Sequence, residues 1–201
     1  MARRDKEQVK KSILESARRL FARFGPKKTT VDEIAQEAGI GKATLYYYFR
    51  DKNEIFLKVI KQEAEELIYR MEQAIVEYEN PELKLKALIL AKASALMELL
   101  NLRWLGEMSE LSAWSELKAT QEELSHKEQK LLEQVLKEGE ERGLFSISNP
   151  SLTAENLTRL LNALEQELAE HNPGEFQNRL EGILTLLLDG IRARGFEPSK
   201  A

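Results

Sequence analysis

Hydrophobic positions in this chain recur at intervals of three and four, and strand-like alternation persists nowhere. Val9, Ile13, Ala17, Leu20, Phe21 and Phe24 form one apolar stripe over residues 6–24, with Lys10, Lys11, Arg18, Arg19 and Arg23 mostly off it. Gly25-Pro26 ends that helix, because glycine suits the position after a helix and proline cannot continue one. Thr30-Val31-Asp32-Glu33 has the Thr-x-x-Glu spacing of a capping box and opens a second helix to about Ala38, with Ile34, Ala35 and Ala38 inward. Gly39 allows a tight left-handed corner that Ile40 anchors. A third, short helix then runs from about Lys42 to Tyr48 over an underside of Leu45 and Phe49. Asp51-Lys52-Asn53-Glu54 is a second capping box, and it opens a long helix over roughly 52–78 that Asn80-Pro81 stops.

Beyond Pro81 the pattern predicts only helices: 82–102, a short irregular stretch from Trp104 to Trp114, 116–142, about 151–171 and about 175–194. The expected class is therefore all-α, with about nine helices. The expected division is a helix-turn-helix head over 1–52, joined by the long fourth helix to a helical body over 53–201.

Composition sharpens this division. The 201 residues are 42% hydrophobic, and no apolar run of about 18 residues suggests a membrane span. The basic N-terminus is not followed by an apolar signal segment, so the expected location is cytoplasmic, with no membrane partner. The absence of cysteine excludes disulfides, thiolate zinc sites and a cysteine nucleophile. Residues 1–52 carry 13 Lys+Arg and 7 Asp+Glu, a charge of +6. The remainder carries 30 − 13 = 17 basic and 34 − 7 = 27 acidic residues, a charge of −10. A basic head on an acidic body suggests that only the head meets a polyanion.

An α-helix fits the major groove of B-DNA, and a helix-turn-helix places its second helix there. The third predicted helix offers Lys42, Thr44, Tyr47 and Tyr48 outward, while Tyr46 is expected to pack against the first or fourth helix. Thr30 and Lys52, at the starts of the second and fourth helices, are placed for phosphates. Each has a plainer alternative: Thr30 as a cap alone, and Lys42 and Lys52 as solvated lysines.

Gly39-Ile40-Gly41-Lys42-Ala43-Thr44-Leu45-Tyr46-Tyr47-Tyr48-Phe49, followed by Lys52, resembles the signature of TetR-type transcriptional regulators. Ile13, Ala17, Phe21, Gly25, Thr30, Ile34, Ala35 and Ala38 fit the same pattern, so the resemblance covers about residues 9–57. It implies a three-helix DNA-binding domain on a helical ligand-binding and dimerisation domain. It also implies a repressor released from a pseudo-palindromic operator by a small molecule. Positions matching Thr30, Lys42, Thr44, Tyr46, Tyr47, Tyr48 and Lys52 commonly touch DNA in that family. Two departures stand out: Gly41 replaces a frequent Ser or Thr, and Tyr48 replaces a frequent His.

In the body, the resemblance makes the eighth and ninth predicted helices the seam of a homodimer, through Leu157, Leu161, Leu164, Leu180, Leu184, Leu187 and Ile191. The alternative is that these side chains are intramolecular core. Met97, Trp104, Met108 and Trp114 are candidates to line a pocket for an apolar or amphipathic effector, or else are plain core. His126 and His171 lie far apart with no helical ligand partner, so no metal site and no cofactor are expected. With no nucleophile elbow, P-loop or dinucleotide fingerprint, an enzyme is the weakest reading. The competing class is a helical interaction module whose basic head docks an acidic partner.

Overall fold

Among the described residues, eight α-helices follow one another: α1 (Lys6–Phe24), α2 (Val31–Glu37), α3 (Lys42–Tyr48), α4 (Lys52–Val76), α5 (Pro81–Glu98), α6 (Trp114–Glu141), α7 (Pro150–Leu168) and α8 (Pro173–Ile191). The computed structural model describes residues 6–102, 104, 114–168 and 173–193, and the side chains of all of these except 114, 164–168 and 173–178. The expected all-α class with an N-terminal helix-turn-helix is what the chain adopts. The short helix expected over 104–114 falls almost wholly outside the described residues. Among the described residues there is no strand, only an isolated antiparallel bridge between Phe145 and Arg192.

The chain divides into two compact units. One comprises Met1–Glu66 with Leu99–Glu122, the other Leu67–Glu98 with Glu123–Ala201. The first unit thus takes in more than residues 1–52, adding the beginning of α4 and the turn after α5.

The core of the first unit forms because the apolar stripe of α1 meets short helices that each offer one or two large side chains. Ile13, Ala17, Phe21, Ile34, Leu45, Ile55 and Ile60 are all fully buried. Phe21 of α1 meets Phe56 of α4 edge to face, with ring centroids 5.3 Å apart, the arrangement that aromatic quadrupoles favour. Phe24, expected on the stripe, is instead 47% exposed, and the Arg23 guanidinium lies 4.9 Å from its ring centre. Leu14, which the stripe did not include, is buried.

A buried carboxylate also ties three distant segments of this unit together. Glu63 of α4 accepts from Arg18 Nε at 2.9 Å, from the Asn101 backbone N–H at 3.0 Å and from Asn101 Nδ2 at 2.7 Å. Asn101 Nδ2 also donates to the Arg18 carbonyl at 3.1 Å. A buried charge is tolerable only when paired and hydrogen-bonded in this way.

In the second unit, Leu85, Leu88, Leu132, Leu136, Leu157, Leu161, Leu180 and Leu184 are buried. Gly139 of α6 is required by space: a Cβ there would meet the Phe145 ring at 1.9 Å. The chain after α6 is held to the end of α8 by Ser146 N–H to Ile191 O at 2.7 Å and Ala193 N–H to Leu144 O at 3.0 Å. Arg192 then pairs with Glu82 at the start of α5. Within this apolar interior sits an ion pair. Lys92 Nζ lies 2.8 Å from Glu128 Oε2, with both side chains only 3% exposed, and it also donates to Asn162 Oδ1 at 2.7 Å.

Removing one partner of such a pair strands a buried charge, whereas replacing both removes the desolvation cost along with the attraction. Lys92→Met should therefore lower unfolding free energy by about 3–5 kcal/mol, and Lys92→Met with Glu128→Leu should recover most of that loss. Urea melts of the three proteins check this; a double variant no more stable than the single one would contradict it.

Candidate nucleic-acid interface

The corner that presents α3 is built from local rules. Thr30 stands at the N-cap of α2 in extended conformation, its hydroxyl accepting from the Glu33 N–H at 3.3 Å. Glu33 Oε2 in return accepts from the Thr30 N–H at 2.7 Å, and the Thr30 N–H and hydroxyl together hold the Glu33 carboxyl below its usual range. A cap of this kind contributes about 1 kcal/mol.

The α2 C-terminus closes as a Schellman motif: Gly39 N–H donates to Gln36 O and Ile40 N–H to Ala35 O, both at 3.0 Å. Gly39 has φ of +66° and open space where a Cβ would sit, so backbone conformation rather than packing requires the glycine there. The next cap has no side chain. Gly41 at the N-cap of α3 makes no side-chain bond, as the replacement of a hydroxyl residue implied.

Beneath α3, Leu45 is fully buried and Phe49 is 2% exposed. On its other side Lys42 and Thr44 are exposed, and Tyr46 and Tyr47 are 48% and 67% exposed. Tyr46 therefore does not pack inward as expected; the burial of Leu45 and Phe49 turns its position outward. Tyr48 is half-buried and meets the Tyr47 ring edge to face at 5.1 Å.

Several of these groups already have partners within the head. Lys42 Nζ lies 2.8 Å from Asp32 Oδ1 of α2, and the carboxylate holds its pKa above the ordinary lysine value. The Tyr47 hydroxyl accepts from Lys6 Nζ at 3.0 Å. Lys52 is half-buried, donating to the Thr29 carbonyl at 2.7 Å and the Lys27 carbonyl at 3.4 Å. Burial pushes its pKa down. Lys52 thus binds the start of α4 to the loop entering α2. The second capping box also differs from the simple form: Asp51 Oδ1 accepts from Glu54 N–H at 2.9 Å, but Glu54 reaches back to the Arg50 N–H at 2.7 Å.

Asp32 and Lys6 are members of this surface that periodicity did not reveal. Asp32 could have been suspected, since it lies ten residues before Lys42 across a known corner. Lys6 is 41 residues from Tyr47 in sequence, and no local signal links them.

Residues 13–59 match the family model described as bacterial regulatory proteins, tetR family. Over 195 residues, covering 92% of this chain and 97% of the relative, the chain is 30% identical to YhgD of Bacillus subtilis (strain 168), an uncharacterized HTH-type transcriptional regulator. The chain belongs to the tetR family of bacterial regulatory proteins. As a member, it is a DNA-binding transcriptional regulator and not an enzyme. Two solved structures extend the likeness over the tetR-type body. A transcriptional regulator from Cytophaga hutchinsonii ATCC 33406 is 25% identical with a TM-score of 0.77, over 91% of this chain and 98% of that one. The TetR family regulator PfmR from Thermus thermophilus is 26% identical with a TM-score of 0.69, over 93% and 96%.

The candidate residues of the tetR-type body are placed less uniformly than those of the head. Met97 is 46% exposed on α5. Trp104 is half-buried, and its ring lies against Gly25, where a Cβ would meet it at 3.3 Å. Met108 lies outside the described residues, as does the side chain of Trp114 at the start of α6. Of the expected dimer-seam residues, Leu157, Leu161, Leu180 and Leu184 are buried within the single chain. Leu187 and Ile191 are half-buried, and the Leu164 side chain is outside the described set. Among the described side chains of these helices, the exposed large apolar ones are Leu152, Leu160 and Leu186, at 51%, 45% and 76% exposure. Among the described residues, no helix is long and apolar enough to cross a membrane.

The Asp32–Lys42 pair sets a negative charge beside the exposed side of α3. Asp32→Asn releases Lys42 and removes a repulsion, so duplex binding should tighten by roughly two- to fivefold, the worth of an exposed ion pair, with weaker sequence discrimination. Fluorescence anisotropy with operator and random duplexes checks this, and weaker binding by the variant would contradict it.

Proposed function

We propose that this regulator is a homodimeric, ligand-responsive repressor, released from a pseudo-palindromic operator by a small apolar or amphipathic molecule. The observation that carries the DNA-reading half is the two-sided α3: Leu45 and Phe49 are buried beneath it, while Lys42, Thr44, Tyr46 and Tyr47 are exposed on it. Residues 1–52 do the reading and residues 53–201 carry the effector and dimer contacts. Lys42 suits a guanine edge or a phosphate, and the Thr44 methyl suits thymine. Tyr46, Tyr47 and Tyr48 offer hydroxyls for phosphates and ring edges for sugars. Thr30 and Lys52 lie at helix starts where phosphate is favoured, and Lys52 must exchange a backbone carbonyl for it.

For the dimer, two α3 helices related by a two-fold axis would enter successive major grooves about 34–36 Å apart, which is why the operator is read as a pseudo-palindrome. The seam is formed by the outer faces of α7 and α8, the eighth and ninth helices that periodicity predicts. The buried leucines back it from within. On α8, Gly182, Leu186 and Gly190 are exposed at intervals of four, with Ile183 and Leu187 half-buried beside them. Small residues on either side of Leu186 allow a partner helix to approach closely. The effector is placed in the body, where ligand binding is typical of the family, with Met97, Trp104, Met108 and Trp114 as first candidates for contact.

Two measurements test the halves separately. Lys42→Ala and Tyr47→Ala should each weaken binding to a duplex enriched from a random pool by about 1–3 kcal/mol. Binding should also fall steeply with salt. Binding untouched by both substitutions would remove α3 from the reading role, and equal affinity for palindromic and random duplexes would favour an acidic protein partner instead. Leu186→Glu should convert the dimer to monomer in light scattering; a variant dimer of unchanged stability would move the seam elsewhere.

A further inference from the structure

The Lys6–Tyr47 contact joins the first turn of α1 to the recognition helix. Lys6 Nζ lies 3.0 Å from the Tyr47 hydroxyl and 5.6 Å from the centre of its ring. Tyr47 is braced on another side by Tyr48, edge to face at 5.1 Å. It is nevertheless the most exposed aromatic of the head, at 67%. Lys6 itself is exposed, and its hydrogen bond to the Tyr47 hydroxyl raises its pKa above the ordinary lysine value.

An ammonium has three donors and no acceptor, and the Tyr47 oxygen occupies one of them. A phenol that accepts from a cation becomes a stronger donor through its own O–H, because hydrogen bonds in series polarise one another. Side by side, the ammonium and the hydroxyl present adjacent donors on the exposed side of the head. That pattern suits two oxygens of one anionic group and offers no acceptor for the exocyclic amines of adenine or cytosine. Lysine serves phosphate as a point charge and needs no bidentate geometry.

We propose that Lys6 is a further DNA-contacting residue, which orients Tyr47 in the free protein and shares a backbone phosphate with the Tyr47 hydroxyl in the complex. The recognition surface thereby extends from α3 onto the first turn of α1. The assignment rests on α3 being the DNA-reading helix. Because the contact is to phosphate, its effect is uniform across sequences, unlike that of a base-reading residue.

The test uses the full chain, a duplex enriched from a random pool by the wild-type protein, and a random-sequence duplex. Lys6→Ala should weaken binding to both by about tenfold, as a charge-assisted hydrogen bond implies, and should reduce the salt slope by about 0.9 for each phosphate that is no longer neutralised. Lys6→Arg should retain the slope. In a double-mutant cycle, Tyr47→Phe should remove much of the effect of Lys6→Ala, since the two groups act on one phosphate. Helical content and melting temperature should be unchanged, because both side chains are exposed. An unchanged affinity and salt slope in Lys6→Ala would overturn the proposal while leaving α3 in place. Failure of the wild-type protein to enrich any duplex would overturn the DNA-reading assignment and this one with it.

Discussion

A helix of seven residues such as α3 has no stability of its own, because two turns cannot offset the cost of nucleating a helix in water. The head depends on tertiary burial of Leu45 and Phe49, the underside by which α3 is held beside α2. That burial decides which side of α3 faces outward and therefore which of its side chains are left exposed. The corner before it is equally constrained. The capping box of Thr30 and Glu33 starts α2, and the left-handed Gly39 ends it, so the direction of α3 is set by a few backbone hydrogen bonds. Gly41 contributes no cap, which is tolerable because packing, not capping, holds this helix.

Electrostatics is used differently outside and inside the molecule. On the head's surface, Asp32–Lys42 and Lys6–Tyr47 are exposed contacts that cost little to break. In the interiors, Glu63 and Lys92 are enclosed by partners from helices far apart in sequence, and such networks are costly to break. Surface pairs therefore suit a binding face that must trade partners, and buried ones suit a fixed arrangement of helices.

Much of the fold was legible because it rests on local periodicity. The stripe of α1, the capping box of Thr30 and Glu33, the Asp51 cap, the glycine corner and the stops at Gly25-Pro26 and Asn80-Pro81 each depend on residues within a turn or two of one another. The exposure of Lys42, Thr44 and Tyr47 was legible for the same reason, while Tyr48, expected outward, is half-buried and Tyr46, expected inward, is exposed. Its spacing is compatible with either face, and only the competition with Leu45 and Phe49 for the interior settled it. Phe24 was misplaced similarly, since periodicity cannot tell the last residue of a stripe from the first residue beyond the core.

Local sequence alone therefore accounts for the described helices, their order, the turn chemistry of the head and the family to which the chain belongs. Tertiary structure alone decided which apolar residues were left over. Leu157, Leu161, Leu180 and Leu184 have the periodicity of an interface, yet they are used inside the chain, and Leu160 and Leu186 remain outside. It alone also decided the partners of charged groups: Glu63 with Asn101, Lys92 with Glu128, Lys6 with Tyr47. The physical reason is common to both. Helix formation is governed by neighbours within four residues, whereas burial and pairing depend on what the rest of the chain brings to the same place.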